Sequence, residues 1–139
     1  MAELVDGTLD VARMLAAAAR PDCGAIAVFV GTTRDHHAGR QVERLFYEAY
    51  RPMALAALEK LEHDVCERYE AADCRIAHRL GEVPPGEASV AVVVTAAHRR
   101  PAFDACRWAM DELKGTAPIW KKETYVGGGA AWAPGARLE

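Results

Sequence analysis

The sequence predicts a single α+β domain with a largely antiparallel sheet, and three observations support this prediction. The chain has 139 residues, of which 51% are hydrophobic and 27% charged, as expected for one compact soluble domain. Segments of strand length alternate with helical patterns in the order β-β-α-β-β-α-β after a leading helix. No repeat or linker interrupts this order, so residues 1–139 are assigned to one domain.

The first part of the chain predicts one short helix and two strands. Thr8 is expected to cap a helix that runs to about residue 20. Segment 24–30 is rich in Val, Ile and Phe and predicts a buried strand. Segment 42–50 predicts a second strand because its alternate residues are apolar. The polar segment 31–39 between them predicts a loop.

Two longer helices are predicted from apolar stripes at helical spacing. Arg51-Pro52 begins the first of them, since proline suits the first helical position, and Glu62 is expected to point away from its stripe. Residues 101–114 form the second, and Gly115 is expected to end it in the left-handed conformation. The buried stripe predicted for this second helix consists of Phe103, Cys106, Met110 and Leu113.

Three further strands complete the predicted sheet. Segment 74–80 predicts one strand, and the β-branched run 89–96 predicts a central strand. Segment 119–126 predicts the last strand. The glycines at 127–129 and the Pro-Gly pair at 134–135 suggest a loose tail.

Charge and composition exclude several classes of protein. A net charge of −3 argues against general nucleic-acid binding, which calls for a basic domain. The amino terminus lacks the features of a signal peptide, and the longest apolar runs fall well short of the roughly 18 residues that span a bilayer. We therefore expect a cytoplasmic protein without membrane contact. The four cysteines lack zinc-site spacing, so we expect reduced thiols and no metal site.

The lysines suggest a local cationic site. The chain has four lysines, and two of them, Lys114 and Lys121, flank one short Pro-containing segment. An amine held near other cations can act as a nucleophile or bind an anion. The pattern alone fits either such a site or ordinary solvated cations.

Other candidate residues lie far from Lys114 along the chain. Arg34 lies in the loop after the first strand, and His98-Arg99 precede the second long helix. That helix would separate its two ends by about 20 Å. Both ends can therefore serve one pocket only if loops fold back or a second copy contributes. His36 and His37 point to opposite sides of an extended chain, which argues against a metal site from that pair.

Five segments carry a family resemblance. They are residues 24–34 (GAIAVFVGTTR), 47–53 (YEAYRPM), 78–87 (HRLGEVPPGE), 97–99 (AHR) and 113–123 (LKGTAPIWKKE). They occur in one family's order over residues 23 to 123, and the Lys-Pro-Trp-Lys block makes the set specific. The chain resembles the large, catalytic subunit of molybdopterin synthase.

The resemblance implies a fold, partners and a reaction. The family has an α/β-hammerhead-type fold and forms a homodimer within a heterotetramer. Each large subunit binds a small ubiquitin-like sulfur carrier, whose C-terminal Gly-Gly tail carries a thiocarboxylate. Sulfur passes from this tail to cyclic pyranopterin monophosphate, which gives the molybdopterin dithiolene of the molybdenum cofactor. The resemblance implies no cofactor on the chain itself.

The resemblance also assigns roles to residues. Lys114 matches the essential pocket lysine, which acts as a nucleophile or stabilises charge, and Lys121 matches a second functional lysine. Phe29 and Met110 match positions near the carrier tail. Substrate-binding roles fall to Arg34, Thr32, Thr33, His98, Arg99, Lys122 and Glu123. Thr32 and Thr33 stand where the family often has a basic contact.

Two other functions remain open from the sequence. One is a non-catalytic adaptor of the same fold that binds an anion or a protein. The other is a persulfide sulfurtransferase that uses one of its own cysteines, although no activating pattern surrounds any of them.

Overall fold

The computed structural model describes residues 1–132 and confirms the α+β class with a largely antiparallel sheet. The predicted order of the main elements is confirmed, and four strands of two or three residues add to it. The elements are β1 (Glu3–Val5), α1 (Val11–Ala18), β2 (Ala25–Thr32), β3 (His36–His37), β4 (Arg40–Ala49), α2 (Arg51–Tyr69), β5 (Asp73–Arg79), β6 (Gly81–Val83), β7 (Ala88–Ala96), α3 (Arg99–Thr116), β8 (Ile119–Tyr125) and β9 (Ala130–Trp132).

Strand β7 lies inside the first sheet, whose order is β1-β5-β7-β2. Both of its neighbours run antiparallel to it, whereas β1 pairs with β5 in parallel. Val92 and Val94 pack in the core with α2 and α3, and Ala91 and Val93 pack with α1 on the opposite face. Burial of both faces explains the near-continuous apolar run. The predicted central position of this strand is confirmed.

The second sheet has the order β3-β4-β8-β9, and β6 also pairs with β4. Val42, Leu45 and Tyr47 of β4 are buried. They belong to the same hydrophobic cluster as residues of β7, α2 and α3. Because both sheets share this core, the functional residues of either sheet can be held in fixed positions relative to the helices.

Both predicted helix-end signals at Thr8 and Gly115 are wrong. The N-cap of α1 is Asp10, whose carboxylate accepts the backbone N–H of Arg13 at 3.0 Å; aspartate caps as well as threonine does. Helix α3 continues through Gly115 to Thr116, and Ala117 follows in an extended conformation. The chain must extend at once to enter β8, which leaves no room for a left-handed turn.

Two predictions of side-chain burial are also wrong. Phe103 is 66% exposed, whereas the buried side of α3 is formed by Ala102, Ala105, Cys106, Ala109, Met110 and Leu113. Glu62 is buried and accepts the backbone N–H of Ile76 at 2.9 Å. Helical spacing locates an apolar face, but the neighbouring elements decide which adjoining residues that face buries.

Strand β2 lies at a sheet edge and is not buried as predicted. Its apolar side chains Ile26, Val28, Phe29 and Val30 are each between 38% and 41% exposed. The apolar composition predicts the strand itself. The composition does not reveal that one edge of β2, and part of one of its faces, stay exposed in a single chain.

The glycines at 127–129 form the turn between β8 and β9 and not a loose tail. All three have positive φ values between 91° and 110°, and Tyr125 donates its backbone N–H to the carbonyl of Gly129 at 3.0 Å. The Pro-Gly pair at 134–135 lies outside the described residues. Among residues 1–132, no helix has the length and apolar character needed to cross a membrane.

Candidate functional site

A cavity of about 460 Å³ opens between β2, β4, β7, β8 and the end of α3. One part of its wall is apolar and is formed by Phe29, Val30, Val42, Leu45, Val90 and Met110. The other part carries charged and titratable groups, which are Arg34, His36, His37, Lys114, Lys121 and Glu123. The cavity thus concentrates basic groups in a chain whose net charge is negative. Such a wall attracts anions.

The two lysines reach the cavity from consecutive elements. Lys114 lies in the last turn of α3, and Lys121 lies on β8. The buried pair Ala117-Pro118 connects these elements, and Ala117 donates its backbone N–H to the carbonyl of Leu113 at 3.2 Å. This short connection turns the chain back, so both lysines line one cavity. The Lys-Pro-Trp-Lys block therefore brings both lysines to the same cavity.

Strand alternation divides the three charged residues of β8 between two faces. Lys121 and Glu123 line the cavity, as expected for residues two positions apart on a strand. Lys122 is not part of this lining; its Nζ lies 5.8 Å from the ring centroid of Trp132. The structure therefore brings Lys121 and Glu123 to the predicted site but not Lys122.

Glu123 provides an ionised carboxylate in the cavity wall. Its side chain is 6% exposed. His37 Nδ1 lies 2.7 Å from one of its oxygens, and the Tyr125 hydroxyl donates to the other at 3.0 Å. Burial alone would raise the pKa of Glu123, but these hydrogen bonds and the nearby charges of His37 and Lys121 outweigh burial and lower it.

The end of β2 shapes the approach to Arg34. A Cβ atom on Gly31 would lie 2.8 Å from Val90 Cγ1, so glycine permits the close contact with β7. A register shift follows between Gly31 and Thr32, and such bulges redirect the following side chains. Thr32 and Arg34 line the cavity. Thr33 is buried outside that lining; its backbone N–H donates to the carbonyl of Glu87, and its carbonyl accepts the N–H of Gly86.

His98 and Arg99 lie away from the cavity. Both are exposed, His98 is the N-cap of α3, and neither lines the cavity. Helical rise puts Arg99 roughly 22 Å from Lys114 along the axis. Within one chain, the structure does not bring the two ends of α3 together.

Sequence reasoning missed the hydroxyl groups at the base of the cavity. Tyr47 and Ser89 both line it, and Tyr47 is almost fully buried. Behind Tyr47, the ring of His78 packs edge-on with the ring centroids 4.8 Å apart. Burial lowers the pKa of His78 to about 4, although a hydrogen bond to the carbonyl of Arg79 partly opposes this shift. His78 is therefore a neutral residue at pH 7. Tyr47 lies on β4 and Ser89 on β7, so no local sequence pattern joins the two hydroxyl groups.

The cysteines are poorly suited to nucleophilic chemistry. None of the four lines the cavity, and partial or full burial raises the pKa of every one of these thiols. A raised pKa reduces the thiolate population that attacks sulfur. Within residues 1–132, no cluster of three or more His, Cys, Asp or Glu residues could hold a metal ion.

The MoaE protein family model matches residues 4–116 of the chain. The chain belongs to the MoaE family. The molybdopterin synthase catalytic subunit of Pyrococcus abyssi is 44% identical over 114 residues, which cover 82% of this chain and 76% of that protein. Catalytic subunit 1 of Mycobacterium tuberculosis is 44% identical over 129 residues, which cover 93% and 87% of the two chains. The family resemblance of the five sequence segments is confirmed.

Solved structures of MoaE relatives have the same fold. The crystal structure of molybdopterin synthase from Staphylococcus aureus superposes with a TM-score of 0.90 at 30% identity, over 94% of this chain and 95% of that chain. A protein–protein complex of subunits 1 and 2 of the molybdopterin-converting factor from Helicobacter pylori matches with a TM-score of 0.79 at 25% identity, over 99% and 92%. The predicted hammerhead-type α+β fold is confirmed by this likeness.

Proposed function

We infer that this MoaE chain is the catalytic subunit of a molybdopterin synthase in molybdenum cofactor biosynthesis. It transfers sulfur from the C-terminal thiocarboxylate of a small carrier protein to cyclic pyranopterin monophosphate. The observation that carries this inference is one cavity in a MoaE fold whose wall contains Lys114, Lys121 and Arg34.

The two halves of the cavity suit the two reactants. Both the thiocarboxylate and the cyclic phosphate are anions, and charge-assisted hydrogen bonds from lysine or arginine bind such groups strongly. The apolar half, which includes Phe29 and Met110, suits a glycine tail and a pterin ring, since neither offers a second charge. We assign the phosphate to Arg34, whose planar fork fits its oxygens, with Thr32 beside it.

Lys114 is proposed to stabilise the charge that develops on the acyl group of the carrier. The last turn of a helix favours a cation because of the helix macrodipole, and Lys114 occupies that turn of α3. An ammonium group aimed at the carbonyl oxygen lowers the barrier to acyl–sulfur cleavage. Attack by a neutral amine is the alternative role, and it requires the lysine to lose its proton first.

Lys121 and Glu123 are proposed to bind the pterin and support proton transfer. They lie two residues apart on β8 and line the same wall, and the charge of Lys121 acts on the Glu123 carboxylate. Lys122 and Thr33, which lie outside the lining, are proposed to support this wall without contacting the substrate.

The carrier is proposed to be a small ubiquitin-like protein with a C-terminal Gly-Gly. The likeness to a chain of the Helicobacter pylori complex of the two converting-factor subunits supports a small partner subunit. The cavity also supports this proposal, because its lining combines apolar side chains, which suit a glycine tail, with basic ones, which suit the anion at its end.

A homodimer is proposed to complete the site. The edge strand β2 exposes Ile26 and Val28, and α3, which packs against β2, exposes Phe103. Such an apolar edge is typical of a surface that a second copy covers. We propose that His98 and Arg99 of one protomer then serve the cavity of its partner, since one chain cannot bring them to its own Lys114.

The direct test is sulfur transfer with a purified, thiocarboxylated carrier and cyclic pyranopterin monophosphate. Lys114→Ala should lower turnover by about 10²–10³-fold, the range seen when a charge-stabilising group is removed. Dimerisation and carrier binding should persist. The matched control is Lys60→Ala, because Lys60 is exposed on α2 and pairs with Asp64. Near-normal dithiolene formation by Lys114→Ala would refute a catalytic role for Lys114.

A further inference from the structure

His37 and Glu123 meet across a separation of 86 residues in sequence. His37 ends the short strand β3, and Glu123 lies on β8; these strands lie on either side of β4. The imidazole Nδ1 lies 2.7 Å from Glu123 Oε2. The His37 side chain is 36% exposed and lines the cavity, whereas the Glu123 side chain is 6% exposed. The histidine is thus the more accessible partner of a buried carboxylate.

The chemistry of the contact fixes which atom carries the proton. An ionised carboxylate can only accept hydrogen bonds, and the lowered pKa of Glu123 means that it is ionised near neutral pH. His37 Nδ1 must therefore be the donor. The Tyr125 hydroxyl donates to the other carboxylate oxygen at 3.0 Å, and the guanidinium of Arg40 stacks 3.7 Å from the Tyr125 ring centroid. Both oxygens of Glu123 are thereby held by donors.

Loss of the His37 donor would leave one of these oxygens poorly satisfied in a buried position. A buried carboxylate that loses a donor must turn toward another cation or take up a proton. The cation that already acts on it is Lys121, which lines the same cavity. The residue at position 37 therefore affects the orientation of Glu123. A reoriented carboxylate would change its electrostatic interaction with the Lys121 ammonium group.

We propose that His37 is a positioning residue: its Nδ1–H holds the Glu123 carboxylate so that Lys121 faces the reactants with its charge available. This inference rests on the proposed sulfur-transfer function. Neither spacing nor composition pointed to it, because the contact joins β3 to β8, which are far apart in sequence.

The test compares two substitutions of different hydrogen-bonding capacity. His37→Asn keeps an N–H donor near the position of Nδ1, and His37→Leu keeps similar bulk without a donor. We expect His37→Leu to lower kcat by about tenfold or more, with the pterin KM changed by less than about threefold. His37→Asn should restore kcat to within about threefold of the parent. The control is His63→Leu, since His63 is exposed on α2 beside Glu67.

A second readout needs no turnover. The NMR titration of the Lys121 ammonium, followed through its side-chain carbon and nitrogen signals, should move in His37→Leu and stay near the parent in His37→Asn. Parental kcat and an unmoved Lys121 titration in His37→Leu would overturn the proposal. Equal impairment of both His37 variants would overturn it too, because the imidazole itself would then be required. Failure of the parent to transfer sulfur would instead refute the proposed function, and the titration would still decide the role of His37.

Discussion

At the scale of single residues, Arg34 lines the cavity, and we propose that its guanidinium binds the phosphate of the substrate. Arg34→Ala is expected to weaken binding of cyclic pyranopterin monophosphate by about 10- to 100-fold, since a hydrogen bond to a charged group contributes about 1.5–3 kcal/mol. Carrier affinity should change much less, because the tail is assigned to the apolar half. Calorimetric titration with each ligand measures both effects. Arg107→Ala, at an exposed position of α3, is the control, and an equal loss of both affinities in Arg34→Ala would contradict the assignment.

His78 should make the stability of the protein depend on pH. Burial lowers its pKa from 6.5 to about 4, so the unfolded chain binds a proton between these values while the folded chain does not. The free energy of unfolding should therefore fall as the pH drops from about 6.5 to about 4, by roughly 3 kcal/mol. Urea denaturation at several pH values measures this slope.

The substitution His78→Gln should remove most of that slope, whatever it does to stability at pH 7. His63→Gln should keep the slope, because His63 is exposed. If His78→Gln showed the same pH dependence as the parent, another group would have to bind the proton.

Some residues of the site could be inferred from sequence and others could not. Lys114 and Lys121 could be inferred, because a short Pro-containing connection keeps the two amines close together in the chain. The hydrogen bond between His37 and Glu123 could not be inferred, since it depends on how β3 and β8 flank β4. Hydrogen bonds between residues far apart in sequence follow from topology, and local patterns carry no information about them.

At the scale of elements, the turn between β3 and β4 holds Ala38 in a strained left-handed conformation that a substitution could relieve. Ala38 and Gly39 have φ values of 52° and 81°, which matches a two-residue hairpin turn that favours Asn-Gly. Ala38→Asn is expected to raise the free energy of unfolding by about 0.5–1 kcal/mol, because asparagine tolerates the left-handed region better than alanine. Chemical denaturation measures the change. Gly39→Ala should have the opposite effect, and a loss of stability in Ala38→Asn would contradict this account.

The prediction of burial succeeded where neighbouring elements cover an apolar segment completely and failed where they cover it only in part. The run at 89–96 was correctly predicted as a central strand because helices cover both of its faces. The run at 24–30 has a similar composition, yet it forms an edge. Phe103 fits a helical stripe but lies beyond the reach of neighbouring elements. Apolar side chains left uncovered within a chain look the same in sequence as those in its core.

At the scale of the whole molecule, the proposed exchange of residues between protomers can be tested with mixed dimers. Lys114→Ala and His98→Ala chains are each expected to be inactive alone. If His98 serves its partner's cavity, random mixing should restore about a quarter of the parental sites, because each heterodimer then contains one intact site. Turnover after unfolding and refolding the mixture together measures this. Mixing without any recovery would mean that each chain supplies its own His98.

The presence of five basic side chains in the wall of one cavity has a practical consequence at the bench. Inorganic phosphate or sulfate in a purification buffer should occupy this recess and compete with the pterin. Added sodium chloride should lower affinity more gradually, by screening at distances near the Debye length of about 10 Å at 0.1 M. Kinetic constants obtained in phosphate buffer would then understate how tightly the natural ligand is held.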